Sequence, residues 1–195
     1  MRSLGLLLLR VVVGGLLAGH GIQKLYGKLG GHGPEGTGQY FESLGIHPAP
    51  EWARTAGAAE LGGGSLTALG LLWPIGPVLT MAPMIVALRK AHWGKPIWVT
   101  HGGGELPVTN LAVAGGLVLV GPGAISLDRL LGARTPWWLV AVGVAGTAVG
   151  TVLALSPEIA QAGREARAEL EREAAGIAEE RAEAPDLQPE EVPTA

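Results

Sequence analysis

The chain has 195 residues, with 48% hydrophobic and 16% charged, against about 25% charged in an ordinary soluble domain. The net charge of −3 conceals a division: residues 1–155 hold six acids against ten Lys and Arg, and residues 156–195 hold eleven acids against four Arg. The absence of cysteine excludes disulfides, thiolate metal ligands and thiol redox chemistry by the chain itself.

Five apolar segments approach the roughly 20 residues that a helix needs to cross a bilayer. The first runs from about Leu4 to Leu25, interrupted only by Arg10, His20, Gln23 and Lys24. A cleaved signal peptide is the alternative for this segment, but further apolar segments follow it instead of a soluble domain. Within it, Gly15 and Gly19 form a GxxxG pair suited to close helix approach, and Gly57, Gly64, Gly115 and Gly116 suit the same role in other segments. A long loop, Tyr26 to Pro50, contains the amphipathic piece "GQYFESLGI", fit for an interface. The second segment, about Glu51 to Leu72, carries Arg54 and Glu60. "WPIGP" then makes a tight turn into a short uncharged third segment, Pro74 to Leu88. After the polar loop Arg89 to Gly104 comes the fourth segment, about Glu105 to Val120. "GPGAISLDRLLGARTP" reads as a turn and a short helical piece. The fifth segment, Trp137 to Leu155, has no charge. Soluble helices carry a polar face at 3.6-residue spacing, which "VVVGGLLAG" and "WWLVAVGVAGTAVGTVLAL" lack.

The tail opens with "SPE", where Ser156 suits an N-cap and Pro157 the first helical position. Its Ala, Glu and Arg favour a helix to about residue 184, with too few large apolar residues to fold alone. "PDLQPEEVPTA" reads as disordered. The expected fold class is therefore all-α: a polytopic membrane helical bundle with a four-helix core (1–134), a fifth transmembrane helix (135–156) and a charged C-terminal tail (157–195).

If spans alternate in direction, His20, Gln23, Lys24, Arg54, Glu60, Arg89, Lys90, His92, His101 and Glu105 gather toward one membrane face. At 1.5 Å per residue, Glu60 lies roughly 9 Å along its helix from Arg54 and ~13 Å from Glu51. A charge at such depth is a functional-site hypothesis by default. His20 and Lys24, four apart, share a helix face and approach Glu60's level from the first span. A Lys24–Glu60 or His20–Glu60 contact would lower the cost of both groups, either as part of a site or as a clamp fixing helix register. Arg54 suits a snorkelling anchor, and Glu105 the N-terminus of the fourth span. On the opposite face, Arg10 and Asp128 suit a structural tie. No ligand spacing of the HExxH kind is present, so no metal site is assigned.

Four motifs give the chain a resemblance to the DoxX family of small integral membrane proteins. They are "HGIQKLYG", "AAELGGG", "HWGKPIWVTHGGGELP" and "GPGAISLDRLLG", spread over about residues 4–134. The resemblance implies a four-helix membrane bundle, with His20, Lys24, Glu60, His92, Glu105, Ser126 and Asp128 at family motif positions. The fifth span and charged tail depart from that pattern. The family takes its name from a membrane subunit of a thiosulfate:quinone oxidoreductase, so the resemblance implies a quinone-linked redox subunit acting with a partner. The candidate catalytic residues are then Glu60, His20 and Lys24. The candidate quinone-binding residues are His20, Lys24, Arg54, Glu60, His92 and Glu105. The alternative is a non-enzymatic membrane scaffold or assembly partner of a redox complex. The expected location is a prokaryotic plasma membrane, crossed several times. The expected partners are the lipid bilayer and a soluble or membrane redox protein; a homo-oligomer is left open, and no nucleic acid is expected.

Overall fold

Eight α-helices arise from these segments in a computed structural model that describes residues 2–183, with side-chain surroundings through Glu179. They are α1 (Arg2–Tyr26), α2 (Gly33–Ser43), α3 (Ala49–Leu69), α4 (Ile75–Lys90), α5 (Glu105–Val120), α6 (Leu127–Leu130), α7 (Trp137–Leu155) and α8 (Pro157–Glu183). A single 3₁₀ turn, Val99–His101, lies between α4 and α5, and no strand occurs among the described residues. The C-terminal stretch read as disordered lies outside the described residues.

The helix ends follow local chemistry. α3 stops where Gly70 takes a left-handed conformation (φ 63°) and closes the last turn with its N–H. The second apolar segment therefore ends earlier than its hydropathy suggests, and Leu71 and Leu72 belong to the turn. α4 runs on to Lys90, which makes Arg89 and Lys90 helical. There the Arg89 guanidinium sits 5.1 Å from the centre of the Trp93 ring. α8 begins as its "SPE" opening suggests, with the Ile159 N–H donating to Ser156 Oγ at 3.3 Å.

α1 packs along α3, α3 along α4, and α4 against both α5 and α7, while α2 rests on α3. α1 and α3 run antiparallel at a distance that only glycine permits. A Cβ on Gly14 would lie 2.6 Å from the Gly64 carbonyl, and one on Gly21 would lie 2.6 Å from the Gly57 carbonyl. The seam is thus Gly14 and Gly21 against Gly57 and Gly64. Gly15, expected to form the contact with Gly19, faces open space, and Gly19 meets only a Leu29 methyl at 3.9 Å. Gly115 and Gly116 also face open space. Sequence reading therefore found the right residues on α3 and the wrong ones on α1 and α5. The rotation of each helix is set by its neighbour, not by its own glycine spacing.

Among the described residues, α1 and α7 are long and apolar enough to cross a membrane, and α5 is a shorter apolar helix. α7 leaves Val142, Val144, Val149 and Val152 exposed. An uncharged helix with valines outward on several sides is suited to lipid.

Candidate functional site

A cavity of about 290 Å³ opens between α1, α3, α4 and α5, with α2 over it. α1 supplies His20 and Lys24, α3 supplies Glu60, and α4 supplies Pro83, Met84 and Ala87. His92 follows α4, and Asn110 comes from α5. Tyr40, Phe41, Leu44 and Ile46, from α2 and its C-terminal turn, close the side away from the bundle centre. The lining is mostly apolar, with a few converging polar groups, which is the usual character of a small-ligand pocket.

Lys24 Nζ donates to Glu60 Oε2 at 2.5 Å. Glu60 is only 3% exposed, against 23% for the Lys24 side chain. The carboxylate is therefore desolvated, and the ammonium is its only partner among the hydrogen bonds and ion pairs of the described residues. His20, the other expected partner, turns elsewhere: its Nδ1 lies 2.9 Å from Gln23 Oε1. Gln23 Nε2 in turn donates to the Leu29 carbonyl at 2.9 Å. That bond directs Gln23's oxygen at the imidazole, so the hydrogen-bond network assigns the His20 proton to Nδ1 and leaves Nε2 its lone pair. His92 Nδ1 lies 2.8 Å from the Gly102 carbonyl, an acceptor, and the same assignment frees its Nε2.

The loop that holds His92 is built by the "HGGGELP" stretch. Gly102 adopts φ 72°, and the Gly103 N–H donates to the Trp98 carbonyl at 3.0 Å. A side chain on Gly103 would collide with the Pro96 and Ile97 carbonyls. Glu105 opens α5, as expected, and its Oε2 accepts from the Val99 N–H at 3.0 Å. It braces the loop and does not line the cavity. Arg54 is exposed on α3 and also lies outside the lining. Of the six expected site residues, the structure brings together His20, Lys24, Glu60 and His92, and leaves out Arg54 and Glu105. His101 is exposed, with Nδ1 3.1 Å from Thr100 Oγ1. Among the described residues no three His, Asp or Glu side chains converge as a metal site would require.

Sequence reasoning missed Asn110 and the α2 cover. Asn110 carried a usable signal, a carboxamide inside an otherwise apolar segment. The α2 cover carried none beyond amphipathicity.

At the opposite end of the bundle, Arg10 and Asp128 do not pair with each other. Arg10 is fully buried. Its guanidinium donates to the carbonyls of Thr67 (3.4 Å), Ala68 (3.3 Å) and Ile125. Two of these are carbonyls in the last turn of α3, where a cation is favoured. Asp128 accepts from the N–H groups of Leu72 and Trp73, both at 2.9 Å. Each charge satisfies backbone at the α3–α4 turn, so the tie is real but runs through main chain.

The DoxX family model matches residues 5–93, from the start of α1 to just past α4. No curated protein and no solved structure matches the chain. The matched segment contains the α1–α3 seam, the Lys24–Glu60 pair and His92, and over these residues the chain is similar to the DoxX family.

Proposed function

We propose that the chain is a quinone-linked membrane redox subunit in which α1, α3, α4, α5 and α7 cross the bilayer and the cavity around Lys24 and Glu60 takes the quinone ring. The observation that carries this reading is the buried Lys24–Glu60 pair lining an apolar cavity. At about 290 Å³, the cavity lies at the small end of ligand pockets, which run from about 300 Å³ upward. That suits a single ring. The donor set fits as well. The Lys24 ammonium and the Asn110 amide are donors for carbonyl oxygens, His20 and His92 each have a free Nε2, and Glu60 is a carboxylate able to take or return a proton. A bound quinone would supply the electron-accepting chemistry. The chain's own residues orient the ring, exclude water and hold a proton at Glu60. Electrons come from a partner protein in this reading, and the chain itself has no thiol to donate them.

Lys24, Lys28, Arg54, Arg89, Lys90 and Lys95 lie toward the cavity end, against Arg2, Arg129 and Arg134 at the other. The positive-inside rule then puts the cavity end and α8 on the cytoplasmic side of the plasma membrane. The test is quinone-dependent oxidation by the protein purified in mild detergent with its partner. Glu60→Gln should lower the rate about 100-fold or more, and an unchanged rate would remove Glu60 from the mechanism.

A second reading, a membrane scaffold, is favoured by α8, whose Glu165, Glu169, Arg172 and Glu173 are exposed along a helix anchored to the body. Deleting residues 157–195 should then abolish association with the partner. Recovery of the same partner without the tail would end that reading.

A further inference from the structure

Beside the polar cavity lies a second, narrower one of about 180 Å³, walled by α3, α4 and α7. The two share Phe41, Ile46, Ala56, Pro83 and Val86 as lining, so they are neighbours across one thin wall of side chains. Their chemistry differs. The second cavity contains no charged side chain. Its two hydroxyls are engaged within their own helices: Thr55 donates to the Glu51 carbonyl and Thr147 to the Gly143 carbonyl, each at 2.8 Å. Apart from the Trp52 indole N–H, its lining offers a polar group no free donor, and it suits a hydrocarbon chain.

α7 shapes this groove by where it touches α4 and where it does not. At Gly143 the helices are in contact, since a Cβ there would lie 3.6 Å from Ile75. One and two turns further along, Gly146 and Gly150 line the groove, and a Cβ on either would meet nothing within 4 Å. These glycines do not serve close helix contact. They leave a slot open beside the polar cavity. The slot depends on α7, which lies outside the segment matching the family.

We infer that the groove between α3, α4 and α7 binds the apolar tail of the ligand whose ring occupies the Lys24–Glu60 cavity, so that the ligand class is a tailed, membrane-resident quinone. This rests on the reading of the polar cavity as the ring site. Adjacency of the two cavities selects this occupant, because five shared lining residues set a site for one polar ring directly beside a site for one chain.

The test compares two probes on the full chain in phosphatidylcholine nanodiscs, with occupancy expressed against the mole fraction of probe in lipid so that partitioning cancels. One probe is 2,3-dimethoxy-5-methyl-1,4-benzoquinone and the other is its 6-decyl derivative. The decyl probe should half-saturate the protein at about tenfold lower mole fraction. Gly146→Leu with Gly150→Leu should erase that advantage while leaving tail-free binding within about twofold, which also shows that the variant is folded. Ala145→Leu, exposed on α7, should keep it. Equal binding of the two probes by the native chain, or an advantage that survives the leucine pair, would overturn the groove while the ring site stands. If Glu60→Gln weakens neither probe but the leucine pair still weakens the decyl probe, the ring site fails and the groove stands. Binding of neither probe would overturn both.

Discussion

At the scale of single residues, the molecule places charge where apolar surroundings make it costly and satisfies it in two different ways. Lys24 and Glu60 satisfy each other, whereas Arg10 and Asp128 satisfy main chain. Removing one member of a buried ion pair strands the other, and the two members are unequal. Lys24 keeps contact with the surface, while Glu60 is enclosed. Lys24→Met should therefore cost about 3 kcal/mol and Glu60→Gln clearly less, read as unfolding midpoints in detergent. The double variant should lose less than the sum of the two. Asp128→Ala leaves two N–H groups of the α3–α4 turn without their acceptor and should cost about 3 kcal/mol in the same measurement. Spacing alone made the Lys24–Glu60 level legible, because helix rise and span alternation are enough to compute depth. It did not reveal Arg10's partners. Carbonyl groups are absent from any pattern of side chains, so two opposite charges at one end looked like a pair.

At the scale of elements, the α1–α3 seam and the α8 anchor carry separate predictions. A Cβ on Gly64 would lie 2.5 Å from the Ala18 nitrogen and 2.6 Å from the Gly14 carbonyl, so backbone must move. Gly64→Ala should destabilise by about 1–3 kcal/mol, while Gly15→Ala should be neutral or slightly stabilising. A comparison of thermal midpoints separates them. α8 is held to α2 by the Arg167–Glu42 ion pair at 2.7 Å, and Gly163 lies against His47 and Pro48. Burial, and after it the Arg164 guanidinium, hold the His47 imidazole below its ordinary value. Arg167 and Lys90 add to that lowering, and Glu42 opposes it. A depressed histidine favours the folded contact while neutral. The unfolded chain binds the proton first as pH falls through about 6.5, and stability is lost from there downward. Amide protection factors around His47 and along α8, taken against the intrinsic exchange rate at each pH, should therefore fall below about pH 6.5. His47→Gln should flatten that dependence. The helices themselves were readable from apolar runs, Gly and Pro punctuation and the Ser156 cap. The faces they turn to one another were not, since rotation is decided by the neighbour.

At the scale of the whole molecule, helix directions follow from the contacts. α4 and α7 run parallel, since Ile75 meets Gly143 and Val86 and Ala154 share the far end of one groove. The tail accordingly returns to the end that holds α2. The all-helical architecture was legible because each apolar segment is bounded by its own turn residues. The cavity itself was not, because its cover comes from the short amphipathic α2 and its fourth wall from α5, Asn110 included. The central claim is that this cavity takes a quinone ring at Lys24 and Glu60, and photolabelling tests it most directly. An azidoquinone would be activated in nanodiscs holding the full chain, and the labelled peptides identified. The account predicts label on the peptides containing Lys24, Glu60 and His92, displaced by excess unmodified quinone. Label confined to the exposed face of α7, or unaffected by competition, would contradict it.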